Sequence, residues 1–320
     1  MTVRDEQHGA KSELELGREV LSPRLRARIR LLELRTRRLA FGDVAGAYRS
    51  SFRGSGIEFE EVRAYQPGDD VRTIDWKVTA RTGEPFVKTY TEERQLRLHL
   101  VVDTSVSMDF GSGEATKREI AAEAVALLAG AAASQRDLVG LDLFSAGRER
   151  HVRPEAGRHQ VLRLLGALMA EPSRPASGAG LLETLEALEK VLARHGICMV
   201  ISDFRGQDDA DWPVVAARLA RRHDLVLVRI TDPFEEDLPD VGLLAFDDPE
   251  TGVRRDVDTS SRAVRAAWAA DAERRRERFQ LDARRARART IELTTAPVLE
   301  GGATDPIVAF FKSRARGGSA

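Results

Sequence analysis

From residue 96 to residue 230 the chain alternates two textures. Short runs that are apolar at nearly every position, "LRLHLVVD" (96–103), "DLVGLDLF" (137–144), "GICMVISD" (196–203) and "DLVLVRI" (224–230), have strand length and no polar face, which predicts strands covered on both sides. Between them lie "EATKREIAAEAVALLAGAAASQ", with Ile120, Ala124, Leu127 and Ala131 on one face, then "RHQVLRLLGALMA", "LLETLEALEKVLARH" and "DWPVVAARLARR". Apolar residues returning every three or four positions predict helices. Strands alternating with helices predict an α/β fold with a doubly wound, mostly parallel sheet over residues 95–320. Downstream, "VGLLAFDD" and "GVRRDVD" predict an added hairpin. Residues 262–289 predict a long helix with Val264, Trp268 and Ala272 in register, "RTIELTT" a last strand and "DPIVAFFKSR" a closing helix.

Ahead of this part the pattern differs. Residues 1–21 are polar and predict a disordered lead-in. "SPRLRARIRLLELRTRRLA" predicts an amphipathic basic helix with Ser22 as N-cap and Pro23 at the first helical position. From Phe41 to Glu93, glycines at 42, 46, 54, 56, 68 and 83 punctuate short segments, with turn signals at "PGDD" and "RTGEP", and predict a small β-rich unit. The organisation read from sequence is thus 1–21, 22–94 and 95–320.

Composition narrows the function classes. With 50 basic and 51 acidic residues in 320, the net charge is -1, so no global field favours nucleic acid or an anionic membrane. The long helix carries ten arginines against four acids but no interleaved aromatic platform, which predicts a solvated face. The longest apolar run, 124–133, is too short to span a bilayer, and no secretory apolar core precedes it, so a cytoplasmic protein is expected. The one cysteine, Cys198, lies in an apolar run and excludes an intramolecular disulfide. Six histidines, at 8, 99, 151, 159, 195 and 223, show no ligand spacing or serine partner, and no Gly-rich loop of Walker type is present.

The informative stretch is "VVDTSVSMDF", where a buried strand ends on Asp103 and continues into Ser105 and Ser107. In a doubly wound sheet, ligands collect beyond the carboxyl ends of the strands at the switch of strand order. Asp103 and Asp203, each ending a strand, are expected to face one crevice there. One carboxylate and two hydroxyls from a single turn suit a hard cation such as magnesium. Here the sequence resembles the von Willebrand factor A fold, of Rossmann type, whose metal-ion-dependent adhesion site opens with Asp-x-Ser-x-Ser. The resemblance implies Mg2+ or Mn2+ held by Asp103, Ser105, Ser107 and Asp203, with the open position taken by a partner's carboxylate. The threonine the family supplies has no counterpart, because Ala179 stands at that place in "SGAGLLETL", and neither Ser177 nor Thr184 is in register. A site one oxygen short is expected to bind its ion more weakly.

"FRGSGIEFEEVRAYQPGDDVRTIDWKVTARTGEPFVKTYTEER" (52–94) is the most specific part of the chain. It resembles the bacterial family called domain of unknown function 58, in which Tyr-x-Pro-Gly-Asp-Asp-x-Arg-x-Ile-Asp-Trp precedes a von Willebrand A-like domain. Residues 65–76 match every fixed position of that pattern, and the resemblance covers about residues 40–315. It implies a non-enzymatic interaction module working with a MoxR-type AAA+ ATPase in chaperone-like assembly or activation of client proteins. The residues themselves predict a turn at Pro67, Gly68, Asp69 and Asp70. Arg72, Asp75, Trp76, Lys77 and Arg81 are read either as a charge network latching the junction with the α/β part or as a partner surface. The rival class is a metal-dependent hydrolase. A nuclease reading of "PGDD" and "DWK" fails on spacing, and a phosphatase reading of Asp103 lacks the second acid, since Ser105 holds that place.

Overall fold

A computed structural model describes residues 41–52, 61–67, 69–89, 95–176, 178–192, 195–206, 211–247, 254–296 and 303–317. The basic helix expected from Ser22, Gly68 of the "PGDD" turn and Ser177 lie outside the described residues.

In chain order the elements are α1 (Phe41–Phe52), β1 (Glu61–Ala64), α2 (Trp76–Thr82), β2 (Phe86–Thr89), β3 (Arg97–Asp103) and α3 (Lys117–Ser134). They continue with β4 (Leu138–Phe144), β5 (Arg148–Glu155), α4 (Arg158–Ala170), α5 (Gly178–Val191), β6 (Ile197–Ser202), α6 (Trp212–Leu219) and β7 (Asp224–Thr231). The chain closes through α7 (Pro233–Glu236), β8 (Leu243–Asp247), β9 (Arg254–Asp258), α8 (Arg262–Arg285), β10 (Arg289–Thr294) and α9 (Thr304–Gly317). The main sheet has six strands in the order β10-β7-β6-β3-β4-β5, parallel except for the β5 edge, which runs antiparallel to β4. This is the doubly wound, mostly parallel α/β arrangement expected from the sequence. β3 and β6 are direct neighbours where the order reverses.

Alternation along the strands sends side chains to two cores. Leu98, Leu100 and Val102 of β3 join α1, α3, α4 and α9 on one face. Val101 of β3, with Cys198 and Val200 of β6, joins α5, α6 and α8 on the other. α3 is buried almost all round: fourteen of its eighteen residues are inaccessible, and a capping box between Thr116 and Glu119 fixes its start. The hairpin expected at 241–258 forms as β8 and β9.

Helix α2 was not expected within the β-rich segment, and two further elements differ from expectation. Residues 41–52, read as the start of a β-rich segment, form α1: Val44, Ala47, Tyr48 and Ser51 share a helical face and are buried, whereas Gly42 and Gly46 had suggested a turn-rich segment. A Cβ at Gly46 would meet nothing, so that glycine marks no turn. Tyr48 stacks edge-on to Phe311 of α9 at 5.5 Å and donates to Asp137 at 3.1 Å. The second is β5, "RERHVRPE", which no pattern announced because Val152 alone of its residues is buried.

Candidate functional site

Asp103 is the last residue of β3 and is shut off from solvent. Its Oδ1 accepts from the Ser105 N–H at 2.8 Å and its Oδ2 from the Ser202 hydroxyl at 2.6 Å. Burial, then the charge of nearby Asp203, push its carboxyl up to about 6. Ser105 and Ser107 follow in a buried 3₁₀ turn, their hydroxyls 3.1 Å apart and bonded to each other. Asp203 lies just past β6 and across the switch point. Asp103, Ser105, Ser107 and Asp203 are thus close together at the switch point, all of them buried.

What fills the switch point was not foreseen. Lys117, the first residue of α3, is wholly buried, and its ammonium donates to Asp203 Oδ2 at 2.5 Å and to Glu235 Oε1 at 2.8 Å. Asp203 Oδ1 accepts from the Arg205 N–H at 3.0 Å, and the Arg205 guanidinium lies 3.3 Å from Glu235. Burial pushes the Asp203 carboxyl up, but the Lys117 ammonium and the Arg205 contacts outweigh it and hold the group below the ordinary carboxylate range. Phe204 between them has a left-handed backbone, φ 57°, unusual for a bulky residue. Its amide donates to Ser202 Oγ, and its ring packs on Trp212 and Phe279. Ring packing thus holds the strained turn that presents Asp203.

As a divalent-ion site the donor set does not fit. Asp203 already carries an ammonium, both Asp103 oxygens take hydrogen bonds from within the fold, and the two serine hydroxyls bond to each other. Ala179 has no side-chain oxygen, and Thr184 is buried with its hydroxyl donating to Gly180 O of its own helix at 2.8 Å.

Beside Asp203 a cavity of about 350 Å³ opens between the loops after β6 and β7 and helix α8. Phe204, Trp212 and Trp268 form apolar walls, and Arg229, Glu235 and Arg275 bring both charges. Four of the eight arginines of α8 are engaged by that helix's own acids: Arg274 and Arg275 with Asp271, Arg278 and Arg285 with Asp282.

The second motif forms a two-stranded sheet separate from the main one. β1 and β2 pair antiparallel, and the segment between them makes a 3₁₀ turn (Val71–Thr73) and α2. Its acids build that shape. Asp69 takes the Arg63 guanidinium in two bonds, 2.6 and 2.7 Å, and the Gln66 N–H. Asp70 caps the 3₁₀ turn through the Arg72 N–H, and Asp75 caps α2 through Lys77 N and Val78 N. The side chains expected to complete a network with them face outward: Arg72, Lys77 and Arg81 are exposed, and Trp76 is 70% exposed. Val71 lies beside them, 61% exposed.

A further cluster eluded sequence reading. His99 Nε2 and His151 Nδ1 meet the same Asp142 oxygen at 2.6 and 3.0 Å, and Arg148 Nε donates to the other at 2.5 Å. Among the described residues these are the one group of histidines and carboxylates close enough to share a metal. The histidines are 52 positions apart in the chain, and only the unannounced β5 brings them together.

A family model described as "Protein of unknown function DUF58" matches residues 61–278. The Uncharacterized protein Rv1480 of Mycobacterium tuberculosis is 34% identical over 239 residues, 74% of this chain and 75% of that protein. Among solved structures, the conserved hypothetical protein BatB of Bacteroides thetaiotaomicron aligns over 69% of this chain and 99% of its own at 12% identity, TM-score 0.44. A von Willebrand factor type A structure from Catenulispora acidiphila aligns over 72% and 44% at 11% identity, TM-score 0.36. Likeness at such identity concerns fold and carries no site chemistry. No helix among the described residues is long and apolar enough to cross a membrane.

Proposed function

This chain belongs to the family described as "Protein of unknown function DUF58", and from that premise we propose that it is a non-enzymatic, cytoplasmic interaction module that works with a MoxR-type AAA+ ATPase on client proteins. The observation that carries the reading is the outward face of the family motif. Asp69, Asp70 and Asp75 are used up in making the turn and its caps, yet Trp76, Val71, Arg72, Lys77 and Arg81 stand exposed on it. A tryptophan left 70% exposed contributes little to its own fold. Aromatic and arginine side chains of this kind carry most of the affinity where proteins meet. The ATPase as partner follows from the family resemblance. The buried carboxylates at the switch point are held by fixed partners instead of being paired as acid and nucleophile, which favours a non-catalytic reading.

Affinity purification of the tagged protein with the MoxR-type ATPase of its own organism tests this. The parent should retain the ATPase, and Trp76→Ala should weaken retention roughly 30-fold, as for a central interface anchor, with an unchanged thermal midpoint. A parent that recovers no AAA+ ATPase, or a Trp76→Ala variant that binds as well as the parent, overturns the reading.

A further inference from the structure

The geometry points to Lys117 as the resident cation of the switch point: its ammonium occupies Asp203, one of the four expected ion ligands, together with Glu235, so the loops after β3, β6 and β7 are joined without metal. Lys117 follows the loop from β3, Asp203 follows β6, and Glu235 follows β7. One ammonium at 2.5 and 2.8 Å from the two carboxylates therefore links three strand ends across the switch point. A metal ion would link the same loops, but through ligands that must be free to coordinate.

Three observations favour the ammonium. First, a buried positive charge at a helix N-terminus opposes the helix dipole, and Lys117 has no exposed atom to hydrate. The two carboxylates are what make its burial tolerable. Second, its remaining side lies 6.0 Å from the centre of the Phe110 ring, and its main-chain N–H bonds to Phe110 O. No open position is left through which a partner's carboxylate could be gripped. Third, charges are already matched: Lys117 and Arg205 face Asp203 and Glu235. Ala179 is consistent with this arrangement, since an ammonium held by two carboxylates has no use for a further hydroxyl ligand.

The test reads the ion and not the partner, so it stands or falls apart from the ATPase reading. Mn2+ is titrated into the full-length protein and followed by loss of the free-ion electron paramagnetic resonance signal. The parent should show no stoichiometric uptake at millimolar Mn2+, and its thermal midpoint should be the same in Mg2+ and in EDTA. Lys117→Ala, which frees the Asp203 and Glu235 carboxylates from the ammonium, should take up one Mn2+ at least about tenfold more tightly than the parent. Adding Asp203→Asn should abolish that uptake. A parent that saturates at one equivalent, or is stabilised by Mg2+, overturns the inference. So does a folded Lys117→Ala that takes up none. If Lys117→Ala folds only with Mn2+ present, the ion has replaced the ammonium and the inference holds. If it folds under neither condition, the parent titration and midpoints decide.

Discussion

Replacing Lys117 by methionine keeps the length and apolar stem of the side chain and removes only its charge. In the parent the ammonium is fully buried against Asp203 and Glu235. Removing one member of a buried charged set costs about 3–5 kcal/mol, chiefly because the partners stay buried and unpaired. Glu235 keeps the Arg205 guanidinium at 3.3 Å, whereas Asp203 keeps an N–H and loses its nearest countercharge. The expected loss is therefore near the lower end, about 3 kcal/mol at pH 7.5. The sign of its pH dependence also follows. In the parent the Asp203 carboxyl is held low, so its stabilisation is present above the ordinary carboxylate value and is lost only as pH falls through the folded-state value. In the variant, burial and the Asp103 charge push the same carboxyl up. Its stabilisation is then present below the ordinary value and is lost as pH rises through the raised one. The gap between the two proteins should widen with pH. Urea unfolding at pH 5 and pH 7.5, followed by tryptophan fluorescence, measures it. A deficit below about 1 kcal/mol, or one no smaller at pH 5, would refute the buried triad.

Other consequences are open to similar measurement. Asp103, with its carboxyl pushed up to about 6 from an ordinary 3.8, takes up a proton on folding, so stability should decline as pH rises from about 4 to about 6; the shift corresponds to roughly 3 kcal/mol, and Asp103→Asn should flatten that part of the curve. A Cβ on Gly180 would sit 2.1 Å from Ser145 O, so Gly180→Ala should lower stability by about 3 kcal/mol in urea unfolding. Asp142→Asn should cost about 3 kcal/mol by chemical denaturation, because Arg148 and two histidines lose one shared carboxylate. Tyr48→Phe removes the hydroxyl that donates to buried Asp137 and should cost about 1–2 kcal/mol by the same measurement.

The sheet was legible because its parallel strands are continuous apolar runs and their helices keep a 3.6-residue period, so β3, β4, β6 and β7 need no tertiary information. Asp103 and Asp203 could be placed together for the same reason: strand ends at a switch point converge whatever their sequence. Lys117 was not legible. Lysine after a helix cap is ordinarily solvated, and its burial depends on Asp203 and Glu235, which lie 86 and 118 residues further on. β5 escaped because one buried valine among charged residues produces no alternation, and its absence concealed the His99–Asp142–His151 cluster. α1 was obscured by glycines that serve no turn, although Val44, Ala47, Tyr48 and Ser51 already carry helical spacing. In the "PGDD" segment the turn chemistry was readable, whereas the caps made by Asp70 and Asp75 were not, since no helix was expected after them. The outward orientation of Trp76 was not readable either, because solvent exposure is a property of the assembled surface.

Helix α3 begins at the switch point with Lys117 and runs about 27 Å at the usual rise per residue. Just past its far end, the Gln135 side chain accepts from Arg49 at 2.7 Å, and Asp137 accepts from Tyr48, both on α1. It is sheathed by neighbours along nearly its whole length, and the small side chains of its alanines let them approach closely. Such a rod cannot bow sideways without opening the core, so its two ends move together. A pull delivered at the switch point would reach α1 as a push or a twist along one stiff axis, making α3 a lever between the loop face and α1.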